Sequence, residues 1–471
     1  MLQHECGVLG LFNQTDPARK AYLGLHALQH RGQESAGIFV TDGESFKGYK
    51  NFGLLKEVFD ENKLNRLSQE KPCHALGHVR YSGEKDNVAN NLQPMFFRHL
   101  RAEFAICNNG ALLNSESLSQ QLQEQGAIFQ STGSCEILAH LILRNKEGFI
   151  PALRTALPKL VGSYCFVMML RNHMIAARDP RGFMPLVLGK LDDGYVVASE
   201  SCALDILGAD YIRDVEPGEI LDISHEGLQS YRFTEEVDPA YCLMEYIYFA
   251  RPDSMINGVN VHQARYRSGV ELAREAPVDA DLVIGVPDSS LSATQGYAAE
   301  TGLPLHSGLI KNKYSGRTFI EPTQAQRDRA VYMKLSPIRY LIEGKRVTLI
   351  DDSIVRGTTS RQLVRMMRSI GAKEVHLRIA SPKMIGPCFY GVDSSDYDQL
   401  IGARQSVAQI AAELGADSLA YLSLEGLCRA IGKPMSSMCA SCFNDQFRTP
   451  LCEHEAFVRR KLATLPAERF E

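Results

Sequence analysis

At 471 residues the chain is longer than one hydrophobic core ordinarily serves, which predicts two or three domains. Apolar residues make up 45% and charged residues 23%, a balance that excludes wholesale disorder. With 51 Lys and Arg against 55 Asp and Glu the formal charge is −4, which excludes a generally basic nucleic-acid binder and makes any phosphate recognition local.

The start, Met1-Leu-Gln-His-Glu-Cys6, has neither a basic stretch nor a long apolar run, so a secretory signal is not expected and a cytoplasmic location is. Up to about Ser230, strand candidates lie between Gly-rich turns. Gly7–Phe12, Ala36–Val40, Phe104–Cys107, Ser163–Leu170 and Tyr195–Ala198 qualify by β-branched and aromatic content, and helices are read at Glu116–Gln125 and Ser134–Leu143. This predicts packed sheets with helical layers outside. Ser163–Leu170, the greasiest run, falls far short of the roughly 20 apolar residues of a bilayer helix, so no membrane partner is expected. From about Asp279 the rhythm becomes strand–turn–helix: Asp281–Gly285, Arg346–Ile350 and Val375–Ala380 are apolar runs, with helices predicted at Ser292–Glu300 and Ser360–Ile370. Such alternation predicts a parallel sheet that binds ligands beyond the carboxyl ends of its strands. The expected divisions are a front domain 6–230, a connector 231–278, a second domain 279–450 and a tail 451–471. Twelve cysteines in a chain of this length read as reduced thiols with a few metal or catalytic roles.

Within the second half, Arg346-Val-Thr-Leu-Ile-Asp351-Asp352-Ser353-Ile-Val-Arg356-Gly357-Thr358-Thr359-Ser360 runs from a buried strand through paired carboxylates into a hydroxyl-rich turn and a helix. Backbone N–H groups and hydroxyls of such a turn surround a phosphate at the positive end of the helix. Paired carboxylates suit ribose hydroxyls and a hard cation. A lone Asp-Asp reads better as a solvated pair before a capped helix. The full string resembles the phosphoribosyl pyrophosphate (PRPP) motif of type I phosphoribosyltransferases. That resemblance implies PRPP contacts from Asp351, Asp352, Ser353, Arg356, Gly357, Thr358 and Thr359. It also implies a pyrophosphate loop at Asp288, Ser289 and Ser290, and Mg²⁺ held by Ser289, Asp351 and Asp352. Residues 311–334 carry six Lys or Arg against two Asp or Glu. With Lys313, Tyr314, Arg317 and Thr318 they predict a mobile cationic flap over the diphosphate.

In the front half, Cys6-Gly7-Val8, Gln29-His30-Arg31-Gly32-Gln33-Glu34, Gly77-His78-Val79-Arg80-Tyr81 and Asn108-Asn109-Gly110 resemble the class II, N-terminal nucleophile, glutamine amidotransferases. Taken together, the chain from Cys6 to about Phe447 resembles the glutamine PRPP amidotransferase family, iron–sulfur type. The implied fold is α/β plus α+β: an N-terminal nucleophile αββα sandwich followed by a type I phosphoribosyltransferase parallel-sheet domain. The implied reaction forms 5-phosphoribosylamine from PRPP and glutamine-derived ammonia, the first step of de novo purine synthesis, in a homotetramer inhibited by purine nucleotides. Removal of Met1–Glu5 would free the α-amino group of Cys6, which can take the thiol proton where a peptide nitrogen cannot. By the same resemblance Asn109 and the Gly110 N–H stabilise the oxyanion, and Arg31 and Arg80 hold the glutamine carboxylate.

The glutamine pocket departs from this family pattern. The usual Thr after Arg-Tyr-Ser is Gly83, the usual His-Asn-Gly reads Asn108-Asn109-Gly110, and the usual Ser-Asp-Ser/Thr-Glu reads Gly133-Ser134-Cys135-Glu136. Ser134 thus replaces the Asp that pairs with the glutamine ammonium, a loss on the order of 3 kcal/mol. Weak glutaminase activity, another amide donor or free ammonia all accord with this. A further alternative is a non-catalytic regulatory paralogue that binds PRPP or nucleotides.

Cys242, Cys388, Cys439 and Cys442 are too widely spaced for sequence alone to join them, and Cys439-Ala-Ser-Cys442 by itself suits zinc, redox chemistry or neither. Their positions match the ligands of the [4Fe–4S] cluster in the iron–sulfur members of the family. The other seven cysteines, besides Cys6, carry no expected role.

Overall fold

The computed structural model describes residues 6–81, 88–312, 335–392 and 396–466. Two antiparallel sheets face each other in the first half. One has seven strands, in the spatial order Asp210–Asp214, Val187–Leu191, Gly194–Ala198, Gly7–Phe12, His74–Arg80, Ser35–Thr41 and Phe46–Phe52. The other has six: Gly227–Arg232, Glu219–Ser224, His173–Arg178, Cys165–Met169, Ala102–Asn109 and Met95–His99.

The two-residue period of each strand decides which layer a side chain joins. In Gly7–Phe12, Leu9 and Leu11 pack toward the outer helices, while Val8 and Phe12 enter the core between the sheets. In Ala102–Asn109, Phe104 and Ile106 point outward, and Ala105 and Cys107 inward. Helices Pro17–Ala27, Glu61–Ser68 and Cys202–Leu207 cover the first sheet, and Ser115–Glu124, Ser134–Arg144 and Phe149–Ala156 the second. This is the expected αββα sandwich. Coverage on both faces explains why its strands read as unbroken apolar runs.

The second half is built on four parallel strands, Leu282–Gly285, Arg346–Asp351, Glu374–Ile379 and Ser418–Tyr421. Helices Leu291–Thr301 and Thr358–Ser369 follow the first two strands. Each strand and helix read from the sequence is present, with ends moved by at most two residues. Part of the stretch expected as a connector forms the helix Val261–Glu275, which packs on Leu291–Thr301 at glycine-only distance. A Cβ at Gly269 would lie 1.8 Å from the Ala293 carbonyl oxygen, and one at Gly296 1.9 Å from that of Tyr266.

The end of the chain returns to the front. Leu451 and Val458, with Tyr390, join the core between the two antiparallel sheets. The Glu453 carboxylate accepts the Glu116 and Ser117 N–H groups at 3.3 and 2.6 Å, capping the helix Ser115–Glu124. Among the described residues no helix is long and apolar enough to cross a membrane.

Candidate functional site

The strand Arg346–Asp351 delivers two carboxylates to its carboxyl end, and both Asp351 and Asp352 are buried. Asp352 N–H donates to Asp351 Oδ1 at 3.0 Å, Ser353 Oγ donates to Asp352 Oδ1 at 2.7 Å, and Ser289 Oγ donates to Asp352 Oδ2. Burial, and then the neighbouring Asp352 charge, push the Asp351 carboxyl well up; burial also raises Asp352. Two like charges crowded out of water are a donor set that fits a divalent cation, and Ser289 stands beside them as expected. Gly357 (φ 74°) turns the chain into the helix Thr358–Ser369, whose start has no side-chain cap, so its first N–H groups are available to an anion. Arg356 and Thr358 are exposed there and Thr359 half-buried.

The neighbouring loop is divided. Asp288 is exposed and ion-paired with Lys311. Ser290, expected at the diphosphate, is buried, and its hydroxyl donates to the Val286 carbonyl at 2.6 Å, so it braces the loop from inside. Lys313, Tyr314, Arg317 and Thr318 lie outside the described residues, as does Gly83.

Sequence reasoning missed Arg265. It is buried on the helix Val261–Glu275, with Nε donating to Tyr246 O at 2.7 Å and Nη2 to Ala250 O at 2.8 Å. With Ser268, Ser289 and Asp352 it lines a small cavity, and burial lowers its pKa to about 10 against the pull of Asp352. The signal was there: Val261, Arg265, Ser268 and Leu272 share one helical stripe, and an arginine on an inward stripe needs a partner.

At the front, register pairs Gly7 with Val79, and Cys6 Sγ donates to the Tyr81 carbonyl at 3.5 Å. Arg80 is buried beside it, donating to Asn91 O. The strand Ala102–Asn109 ends in Asn109, 1% exposed, whose side-chain nitrogen and oxygen both lack a hydrogen-bond partner. A buried amide left unsatisfied is costly and marks a place prepared for a ligand. Gly110 follows at φ 127°, where a Cβ would strike the Ser163 carbonyl oxygen at 2.4 Å. Below them His78 Nε2 donates to Asn108 O at 3.2 Å; burial, and then Arg80, pull His78 down to about 3 and keep it neutral.

Arg31 lies in the buried interior. Expected at the donor carboxylate, it is 1% exposed, and its guanidinium is ion-paired with Glu200 and Glu245. Glu200 also accepts from His30 Nε2 at 2.6 Å, Arg251 N–H at 2.9 Å and Ser254 Oγ at 2.7 Å. Against the burial that raises it, His30 and Arg31 hold the Glu200 carboxyl well below the usual range. A guanidinium neutralised by two buried carboxylates ties the front domain to residue 245. The residues at two departures touch: Asn108 Nδ2 donates to Ser134 Oγ at 2.9 Å.

The four spaced cysteines lie on neighbouring segments. Cys242 and Cys439 are register partners in a short parallel bridge. Ile385 and Gly386 N–H groups donate to Cys442 O at 2.9 and 3.1 Å, which brings the 388 loop to Cys442, and Tyr390 N–H donates to Cys388 Sγ at 3.3 Å. None of the four is in a disulfide; burial, and then Cys388 and Cys439, push Cys442 well up. Four thiols, one of them accepting an N–H, match an iron–sulfur cluster in donor type. Among the described residues no three His, Cys, Asp or Glu side chains stand within ligating reach of a single ion.

A family model for a glutamine amidotransferase domain matches residues 78–205. The amidophosphoribosyltransferase of Bacillus subtilis (strain 168) is 48% identical over 470 residues, 98% of each chain. That of Staphylococcus aureus (strain N315) is 46% identical over 468 residues, 98% of this chain and 94% of the relative. A solved structure described as the allosteric regulatory enzyme of purine biosynthesis superposes with TM-score 0.91 at 48% identity, over 95% of this chain and 97% of that one. Glutamine PRPP amidotransferase from B. subtilis complexed with ADP and GMP gives 0.90 at 46%, over 99% and 100%.

Proposed function

The chain belongs to the amidophosphoribosyltransferase family, and on that premise we propose that it forms 5-phosphoribosylamine and pyrophosphate from PRPP and amide-derived ammonia, opening purine synthesis. The observation that carries this reading is the buried Asp351–Asp352 pair, held by Ser289 and Ser353 beside the uncapped helix start at Gly357. The helix N–H groups, Thr358 and Thr359 seat the 5-phosphate, and Asp351 and Asp352 bind the ribose hydroxyls. Asp351, Asp352 and Ser289 would hold Mg²⁺, which when bound neutralises the diphosphate leaving group. Ammonia attacks C1 with its lone pair, the C1–O bond breaks, pyrophosphate leaves with that electron pair, and the nitrogen sheds one proton to solvent.

At the front, removal of Met1–Glu5 gives Cys6 an α-amino group that accepts the thiol proton. The thiolate attacks the donor's amide carbon, and the unsatisfied Asn109 side chain and Gly110 N–H receive the oxyanion. Ammonia departs as the tetrahedral centre collapses to a thioester, and water then releases the carboxylic acid. Arg80 holds an anionic group on the donor, whose amine end meets the altered residues Asn108 and Ser134. Cys242, Cys388, Cys439 and Cys442 hold a [4Fe–4S] cluster with a structural role. A cytoplasmic homotetramer inhibited by purine nucleotides completes the proposal; the relative solved with ADP and GMP supports the nucleotide inhibition alone.

The test is pyrophosphate release from PRPP and Mg²⁺, with ammonium and with glutamine as nitrogen source. Release with at least one donor is expected; none with either, in protein of native fold, overturns the reading.

A further inference from the structure

We propose that the donor pocket beside Cys6 selects carboxamides that carry no α-ammonium, with Asn108 and Ser134 as the specificity-determining pair. This rests on Cys6 being the nucleophile of the front site.

Asn108 sits on the opposite strand face from Asn109, but its Nδ2 reaches the Gly110 carbonyl, so its side chain borders the glycine proposed to receive the oxyanion. Every polar atom of that side chain is committed. Nδ2 donates to Ser134 Oγ at 2.9 Å and to Gly110 O at 3.4 Å, and Oδ1 accepts the Cys165 N–H at 3.1 Å. Oδ1 therefore has little left to offer an ammonium group. The residue's own N–H donates to Gln93 Oε1 at 2.6 Å, which also accepts from Cys135 Sγ at 3.5 Å. The groups that hydrogen-bond Asn108 here are thus a hydroxyl, neutral amides and the neutral His78 imidazole.

Ser134 is the first residue of the helix Ser134–Arg144, whose start has no side-chain cap. The positive end of an eleven-residue helix opposes a cation and favours an anion or a neutral dipole. The carboxylate two residues on does not compensate. Glu136 is buried and turned to the preceding loop, accepting from Gln130 N–H at 2.9 Å, Ser131 N–H at 2.7 Å and Ser131 Oγ at 2.5 Å. A second observation marks the same place as a ligand seat: both polar atoms of the Asn109 side chain are buried and unpartnered. The matching donor is the ω-amide of a dicarboxylic acid, with its remaining carboxylate toward Arg80 and hydrogen in place of the amino group.

The experiment compares L-glutamine with glutaramate, its α-desamino analogue, by ammonia release from the full protein with PRPP and Mg²⁺ present. Wild type is expected to use glutaramate at a kcat/KM equal to or above that of glutamine. Ser134→Asp restores a carboxylate and is expected to shift the ratio toward glutamine by at least about tenfold. Any wild-type preference for glutamine beyond measurement error overturns the proposal, because an ammonium without an ionic partner adds no favourable contact. Turnover of neither amide overturns it as well. The wild-type comparison stands even if Ser134→Asp fails to fold. Cys6→Ala separates the two levels: amide use that survives it overturns the nucleophile assignment itself, whereas loss of both amides leaves the specificity ratio as the deciding measurement.

Discussion

The backbone of Gly391 rests on the backbone of Gly110: a Cβ at Gly391 would stand 3.3 Å from Gly110 Cα and 3.4 Å from Met184 Cε, at φ 123°. The loop that carries Cys388 therefore presses on the residue proposed to receive the oxyanion, and Tyr390 of the same loop stacks on Phe183 with ring centroids 4.1 Å apart. Gly391→Ala combines steric contact with a left-handed backbone that a side chain disfavours. It is expected to lower amide-dependent turnover by roughly tenfold, with ammonium-dependent turnover within about twofold of wild type. Parallel assays with the two nitrogen sources check this.

Asp351→Asn removes one of two crowded negative charges and keeps an oxygen able to accept the Asp352 N–H. Pyrophosphate release with ammonium is expected to fall by about a hundredfold or more, while the melting temperature in the absence of Mg²⁺ holds or rises. Function lost without stability lost distinguishes a ligand site from a structural ion pair, and calorimetry beside the assay reads both.

Serine at Cys242, Cys388, Cys439 or Cys442 is expected to abolish iron binding, whereas serine at Cys73 or Cys428 is not. Anaerobic purification, iron and sulfide analysis, and the visible absorption of each variant measure it. Equal iron content in the two groups would remove the cluster from the proposal.

His78 titrates near 3 in the folded chain because it is buried beside Arg80, against an ordinary value of about 6.5. Between those values the unfolded chain binds a proton that the folded one does not. Its contribution is complete above about pH 6.5 and is lost as the pH falls toward 3, with a slope of up to about 1.4 kcal/mol per pH unit. Denaturation midpoints at pH 7 and pH 5 are expected to differ less in His78→Gln than in wild type.

Much of the fold was legible because its strands are buried on both faces and its turns are marked by glycine. The PRPP-type loop was legible because strand, acids, hydroxyls and helix follow one another without interruption. What was hidden depended on residues far apart in the chain. Arg31 lies within a motif that reads as a substrate contact, yet its buried partners Glu200 and Glu245 are 169 and 214 positions away. The contact between Asn108 and Ser134 joins two departures that the sequence presents as separate. Ser290 read as a ligand because it follows Ser289, but the first turn of the next helix rotates its hydroxyl to the inside.

Leu451 and Val458 join the apolar cluster that extends from between two sheets whose strands are all complete by Arg232. During synthesis the front sandwich therefore leaves the ribosome with a seam still wet, and it waits for more than two hundred further residues before that seam is sealed. A nascent chain stalled before Leu451 is expected to be cut by protease within the sandwich, and one released after Val458 to resist.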